Sequence, residues 1–373
     1  MQYNVILITL DALRPDKLHF LQKFMRIIKQ GTLFSTSITA SPYTLASMHA
    51  MLSGIYPHHN GVNGYLRVFR FKKESIHTLP QYFKEQGYAT RADLVNPSLV
   101  PNQGFDQVTS YGEKENVLER HKQILTEITS QNSPFFVHVH QALLHSNLIK
   151  DVLQVYQHDD ENYYAQQEEN ERRYESYLID IDRYASELFY HIKELGLLNN
   201  SIIVFHSDHG ASFGERFGER IYGEFLYDET IRAFTLFIQP KIFPPKEITS
   251  TVSLIDIMPT LMDLLKITPN FNKLPIQGKS LIPFTKEEET EGRIAFSETG
   301  GMSGPYPSPK KHNLFSVRND SWKLIYQKTV DEYELYDMLR DPKERNNIFG
   351  TQKEIERSLK KLINVEHPGA FGN

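Results

Sequence analysis

An aspartate closes the first apolar run of the chain: Asn4-Val-Ile-Leu-Ile-Thr-Leu10 leads directly into Asp11. A second acidic residue, Asp208, follows another such run, Ser201-Ile-Ile-Val-Phe205, and His209 stands beside it. Carboxylate and imidazole together are ligand types that a hard-to-borderline divalent cation takes. Between these two places, Ser41-Pro-Tyr-Thr44-Leu-Ala-Ser47 runs into an apolar segment closed by Gly54, which sets Thr44 at or near a helix N-terminus. Free backbone N–H groups and the helix dipole favour negative charge there, so the stretch is suited to a phosphate or sulfate. Taken singly, Asp11 and Thr44 each also read as an ordinary N-cap.

These residues need a scaffold that brings distant segments together. Apolar runs such as Asn4–Leu10 have the character of strands buried on both faces of a parallel sheet, and open α/β sheets hold ligands at the C-terminal ends of such strands. Residues 134–140 predict a further buried strand carrying His138 and His140, with His145 in the loop after it. Tyr174, Tyr177, Leu178, Ile181, Tyr184, Ala185, Leu188, Phe189 and Ile192 recur at three and four, predicting a long helix with Asp180, Asp182, Arg183, Glu187 and Lys193 on its other side. Gly196 closes it, and the Ser201–Phe205 strand follows in the helix-then-strand order of an α/β sheet. Further helices are expected at 75–87, 117–128 and 254–265, and further strands at 88–95 and 233–238. Residues 150–173 are polar with little apolar periodicity, and 211–227, with Gly214, Gly218 and Gly223, predict a long loop over the same sheet end. Past Gly278 the pattern shifts to short strands (293–297, 314–318, 322–327, 334–336) and a terminal helix at 353–363. The expected division is a catalytic unit, residues 1–285, and a small α+β appendage, residues 286–373.

The 373 residues suffice for a large core, and a net charge of −5 gives no general basic surface for nucleic acid or anionic membrane. The chain has no cysteine, which removes disulfides, thiolate ligands and thiol nucleophiles together. Its apolar runs are too short to span a bilayer and no signal segment opens it, so the expectation is a soluble, cytoplasmic protein. Oligomeric state is not legible.

In their order these pieces resemble the sulfatase-like branch of the alkaline phosphatase superfamily. The points of similarity are Leu-Ile-Thr-Leu-Asp11-Ala-Leu-Arg14; Thr44 through Gly54-Ile-Tyr-Pro57-His58; Phe135-Phe-Val-His-Val-His140 with His145; Ser207-Asp208-His209-Gly210; Tyr227-Asp-Glu-Thr-Ile-Arg232; Ser253-Leu-Ile-Asp256; and Trp322-Lys323-Leu-Ile with Glu334-Leu-Tyr-Asp337. The resemblance implies an alkaline-phosphatase-like α/β fold: a central, mostly parallel sheet flanked by helices, with a small C-terminal α+β subdomain. It also implies one divalent cation held by Asp11, Thr44, Asp208 and His209, with Thr44 as nucleophile and His145 as donor of a proton to the leaving oxygen. Manganese or zinc is favoured by the histidine among the ligands, with calcium or magnesium left open. His140 is placed to line the site; His138, His206, His58 and His59 are expected in structural or supporting roles, and Arg14, Asp180 and Asp182 as helix or supporting charges.

Three departures bear on chemistry. True sulfatases carry a cysteine or serine that becomes formylglycine, within a Cys/Ser-x-Pro/Ala-Ser-Arg pattern; here the string is Thr44-Leu45-Ala46-Ser47-Met48. Threonine cannot give that aldehyde, so the similarity is to the branch with an unmodified threonine. Tyr222 stands where family members often have a lysine or histidine on the anion, and Asn96 where sulfatases have a lysine; both would be substrate-binding positions in a less cationic pocket. The expected activity is a metal-dependent phosphoester hydrolase or phosphotransferase, acting on a phosphodiester or phosphonate monoester. Its substrate would be small or linked to lipid or glycan. The alternatives are a sulfate-ester hydrolase lacking formylglycine and a non-catalytic anion-binding member. Substrate identity would be read by loops at 60–75, 146–173 and 211–225.

Overall fold

A computed structural model describes residues 2–62, 70–112, 115–131, 133–300, 313–368 and 370; residues 63–69 of the expected 60–75 loop lie outside them. Its strands are β1 (Asn4–Leu10), β2 (Thr32–Ile38), β3 (Ala89–Leu94), β4 (Gln107–Ser110), β5 (Phe135–Gln141), β6 (Ser201–His206), β7 (Arg232–Ile238), β8 (Lys246–Ile248) and β9 (Val252–Ser253). The central sheet runs β4-β3-β5-β1-β6-β7-β2-β8, with β9 also on β2. Only β7 breaks the parallel arrangement, pairing antiparallel with β6 and β2. β1 lies between β5 and β6, and Thr9 is in register with His140 on one side and His206 on the other. In-register parallel strands end at one level, so the segments following β1, β5 and β6 emerge side by side.

Alternation along β1 sends its side chains into two separate cores. Ile6, Ile8 and Leu10 face Leu178, Ile181, Ala185 and Leu188 of the Gln167–Glu194 helix. Val5 and Leu7 share the other core with Met48, Met51 and Leu52 of the Thr44–Ser53 helix and Ile257, Met258 and Leu261 of the Ile257–Leu265 helix. Each such aliphatic side chain, fully buried, contributes about 1.5–3 kcal/mol over its exposed state. The α/β architecture with helices on both faces is thus the expected one.

The long helix starts earlier than its apolar pattern does, at Gln167. Its first turns are anchored by polar contacts instead: buried Asn170 donates through Nδ2 to Tyr163 O (2.8 Å) and Phe213 O (3.1 Å), and Lys17 pairs with Glu171 and Glu175. Asp182, expected on the solvated side, is buried. Its carboxylate accepts the backbone N–H groups of Lys23 and Phe24 at the start of the Phe24–Ile28 helix. Residues 150–173 are not featureless either, because Ile149–Leu153 winds as a π-helix and Glu161–Ala165 as an α-helix.

A second, antiparallel sheet is formed in chain order by β10 (Ala295–Thr299), β11 (Leu314–Arg318), β12 (Trp322–Gln327) and β13 (Glu332–Asp337). Val317, Leu324 and Leu335 pack with Leu359 and Ile363 of the Lys353–Glu366 helix. Lys323, with its side chain wholly buried, joins this sheet to the rest through Asp228 (3.0 Å) and Glu344 (2.7 Å).

Candidate active site

Asp11 follows β1 and begins a tight turn. The next residue, Ala12, has φ +58, a left-handed conformation that costs a residue with a Cβ about 1–2 kcal/mol. Three bonds hold it there: Tyr174 Oη donates to Ala12 O (2.9 Å), Arg14 N donates to Tyr174 Oη (2.9 Å), and Ala12 N donates to Asp208 Oδ1 (3.2 Å). The long helix therefore fixes the turn that aims Asp11. Asp208, two residues beyond β6, is fully buried, and its backbone carbonyl accepts a bond from Ser47 Oγ at 2.8 Å.

Thr44 is the first residue of its ten-residue helix, not the N-cap. Tyr43 holds that position, in extended conformation, and no side chain caps the helix. The first-turn N–H groups are thus not taken by a cap. Thr44 Oγ1 lies 3.4 Å from Asp11 Oδ2 and 3.3 Å from His209 Nε2. His209 Nδ1 is 2.7 Å from Gly210 O, and a carbonyl can only accept, so Nδ1 donates there and Nε2 is the nitrogen turned toward Thr44. His209 Nε2 is also 3.5 Å from Asp11 Oδ1 and 3.6 Å from Asp208 Oδ2. Residues 11, 44, 208 and 209 therefore converge.

His145 and Tyr222 join them. His145 Nδ1 is 3.3 Å from Asp11 Oδ1, its Nε2 is 3.3 Å from Tyr222 Oη, and the Tyr222 ring lies 4.7 Å from that of His209. His140 is reassigned: it is wholly buried, with Nε2 2.9 Å from Asp11 Oδ2, so it supports the carboxylate from behind instead of lining the site for substrate. Asn96 is not brought in. It is exposed, and its side-chain oxygen accepts from Ser98 N (2.9 Å) and Ser98 Oγ (2.8 Å), capping the Pro97–Leu99 turn. Reading the sequence also missed Ser47, which sits one helical turn after Thr44 and donates to Asp208 O; the i, i+3 spacing was the available signal.

Burial alone would raise the pKa of Asp11, but His145 and His140 hold it well below the usual carboxylate range. Asp208 is raised, by burial and by the charge of Asp11. Burial pushes His145 down, and the charge and hydrogen bond of Asp11 outweigh it, leaving its pKa raised. Beneath the site, Thr9 Oγ1 bridges His138 Nε2 (2.9 Å) and His206 Nε2 (2.8 Å), and burial pushes His206 down to about 3. These two histidines are neutral supports, as expected.

Two carboxylates buried together repel each other, and among the described residues Asp11 Oδ1 and Asp208 Oδ2 have only long contacts: His145 Nδ1 at 3.3 Å and His209 Nε2 at 3.5 Å from the first, and His209 Nε2 at 3.6 Å from the second. Such an arrangement is stable with a cation between the oxygens. Candidate ligand atoms of Asp11, His145 and His209, and of Asp11, His140 and Asp208, lie within 4.8 Å of one another in each group. The donor set therefore fits a divalent ion. His145 also lines a cavity of about 970 Å³ with Gln141, Lys150, Arg183 and Tyr184. Thr44, Asp11 and Asp208 are not among the residues that line it.

Residues 3–267 match the sulfatase family model, and residues 218–367 match the model for the C-terminal part of N-sulphoglucosamine sulphohydrolase. N-acetylglucosamine-6-O-sulfatase of Bacteroides thetaiotaomicron is 31% identical over 202 residues, covering 52% of this chain and 34% of the relative. Choline-sulfatase of Rhizobium meliloti is 30% identical over 186 residues, covering 48% and 34%. The matches thus span about a third of these curated relatives' length. Among solved structures, a protein in complex with its substrate D-glucosamine-2-N,6-O-disulfate aligns with TM-score 0.78 at 19% identity, over 99% of this chain and 98% of that one. The phosphonate monoester hydrolase of Agrobacterium radiobacter aligns with TM-score 0.78 at 14% identity, over 99% and 96%.

Proposed function

The chain belongs to the sulfatase family, and from that premise we propose that it is a metal-dependent phosphoester hydrolase or phosphotransferase with Thr44 as its nucleophile. The observation that carries the reading is the Thr44 hydroxyl at an uncapped helix N-terminus, within 3.4 Å of Asp11 and 3.3 Å of His209. Asp11, Asp208 and His209 would hold the divalent cation; sulfatase-family enzymes typically bind calcium or magnesium, whereas the histidine among these ligands would favour manganese or zinc. When bound, that ion supplies positive charge that eases loss of the hydroxyl proton and offsets charge developing on the transferred group.

The chain's own groups do the rest. Thr44 donates towards Asp11 Oδ2, so its proton has an acceptor before attack. Oγ1 forms the bond to phosphorus as the bond to the leaving oxygen breaks, and the first-turn N–H groups face the anion. His145, 3.3 Å from Asp11 through Nδ1, would give the leaving oxygen its proton, and Tyr222 Oη contacts the ring at Nε2. The neutral His145 then takes a proton from water, or from an acceptor alcohol, that releases the group from Thr44. The cavity beside His145 would receive the leaving group.

Sulfate-ester hydrolysis is the second reading, favoured by the names of the relatives at 30–31% identity. Threonine at position 44 weighs against it, since formylglycine cannot form there. Phosphate and sulfate release from a bis-aryl phosphate, an aryl phosphonate and an aryl sulfate, measured side by side, separates the two. Faster turnover of the phosphorus esters, with a phosphate adduct on the peptide containing Thr44, supports the proposal; turnover of the aryl sulfate alone overturns it.

A further inference from the structure

Away from the catalytic cluster, His58, Glu298 and His367 bring one ligand atom each within 4.8 Å of one another. They come from three separate elements. His58 lies in the short Pro57–Asn60 helix, Glu298 on β10, and His367 caps the end of the Lys353–Glu366 helix. Glu298 and His367 are buried and His58 is exposed. Glu298 Oε2 is 3.7 Å from His367 Nδ1, and the rings of His58 and His367 are 5.5 Å apart at 84°.

From this geometry we propose a second metal site, a zinc site formed by His58, Glu298 and His367. Tetrahedral zinc with bonds of about 2.0–2.1 Å places neighbouring donor atoms about 3.3–3.4 Å apart, so the 3.7 Å between Glu298 Oε2 and His367 Nδ1 is within a few tenths of an ångström of what the ion requires, and His58 lies within 4.8 Å of both. Two imidazoles and one carboxylate are a donor set suited to zinc and poorly suited to calcium or magnesium. The carboxylate is oriented before any ion arrives: its other oxygen, Oε1, accepts the backbone N–H of His58 at 2.5 Å, leaving Oε2 on the histidine side. Its main chain is fixed as well, with Glu298 N donating to Ala40 O (3.0 Å) and Ser41 Oγ donating to Glu298 O (2.8 Å). Supporting bonds of this kind hold a ligand in position for its ion. The exposed face of His58 gives an ion entry and leaves a fourth position for water. The site ties the end of the C-terminal helix and the second sheet to both flanks of the Thr44–Ser53 helix, since Ser41 precedes Thr44 by three residues and His58 follows the helix. It is independent of the phosphoester reading.

The test is zinc content and thermal midpoint of the full chain after chelation, dialysis against zinc and removal of free metal. In an Asp11→Asn background, where the residue shared by both catalytic ligand groups is neutralised, one zinc per chain is expected, falling to none on adding His58→Ala. In the otherwise unsubstituted chain, His58→Ala alone is expected to lower the zinc content by one and to abolish the part of the zinc-dependent rise in melting temperature that survives in Asp11→Asn. Because His58 is exposed, its loss leaves the fold intact. Equal zinc content with and without His58→Ala, or no zinc in the Asp11→Asn chain, would overturn the site.

Discussion

Replacing Thr44 by alanine should separate activity from stability. The hydroxyl makes two long contacts, to Asp11 and His209, and Asp11 keeps His140 at 2.9 Å and His145 at 3.3 Å when it is gone. Losing one such buried hydrogen bond costs about 1 kcal/mol. With an unfolding entropy of about 2.1 cal/mol/K per residue, the 373-residue chain changes by roughly 0.8 kcal/mol per degree, so the melting temperature should fall by only about 1 °C. Removal of a nucleophile instead takes about 10³–10⁶ from kcat, or about 4–8 kcal/mol of barrier. Thr44→Ser keeps the hydroxyl and should stay within about tenfold of the parent. The assays are a thermal melt and initial rates on a bis-aryl phosphate or aryl phosphonate, with the phosphate adduct followed by mass spectrometry. If Thr44→Ala turns over substrate at the parent rate, the attacking atom lies elsewhere and the mechanism built on it fails.

His145→Gln should lower kcat by about 10²–10⁴ for esters with a basic alcohol leaving group, but much less for nitrophenyl esters, whose leaving oxygen needs no proton. Equal losses across the two would refute the proton-donor role. Lys323→Met strands the wholly buried Glu344, while Asp228 keeps Arg318 at 3.1 Å, and should cost about 3–5 kcal/mol, or roughly 4–6 °C in melting temperature; an unchanged melt would show that the Lys323–Glu344 pair contributes nothing. His49, on the Thr44 helix, is pushed down to about 4 by burial. The unfolded chain binds that proton from pH 6.5 downward and the folded chain does not, so stability is retained above pH 6.5 and falls by about 2 kcal/mol between pH 7 and pH 5. Urea unfolding at the two pH values measures it, and His49→Gln should remove that share of the slope.

The convergence of Asp11 and Asp208 could be read from the chain because both stand where unbroken apolar runs stop. Asp11 and Asp208 follow β1 and β6, and such runs have few other interpretations in a chain of this length. β2 was not anticipated, although all its residues are buried, because Thr32, Ser35, Thr36 and Ser37 give it the composition of a loop. Two of its hydroxyl groups are satisfied by main-chain carbonyls: Thr32 Oγ1 donates to Pro244 O, and Ser37 Oγ to Phe34 O within the strand itself. Asp182 misled for the converse reason. Helical spacing sets it on the polar side, and only the docking of a second helix start, with N–H groups needing an acceptor, explains its burial. Asn96 was assigned by position in a family motif, and a local cap bond, invisible to motif matching, holds its side chain away. Tyr222, named by the same kind of matching, lies beside His145 and His209, because the 211–227 loop returns it to them.

Of the three parallel strands that deliver Asp11, His140 and Asp208, the first is separated from the other two by more than a hundred residues of intervening chain. Pairings of such long sequence separation are slow to form, because loop closure precedes any gain from contact. Catalysis should accordingly return last during refolding, after secondary structure has recovered. During synthesis, the site cannot exist until the ribosome has released β6 and the turn beyond it.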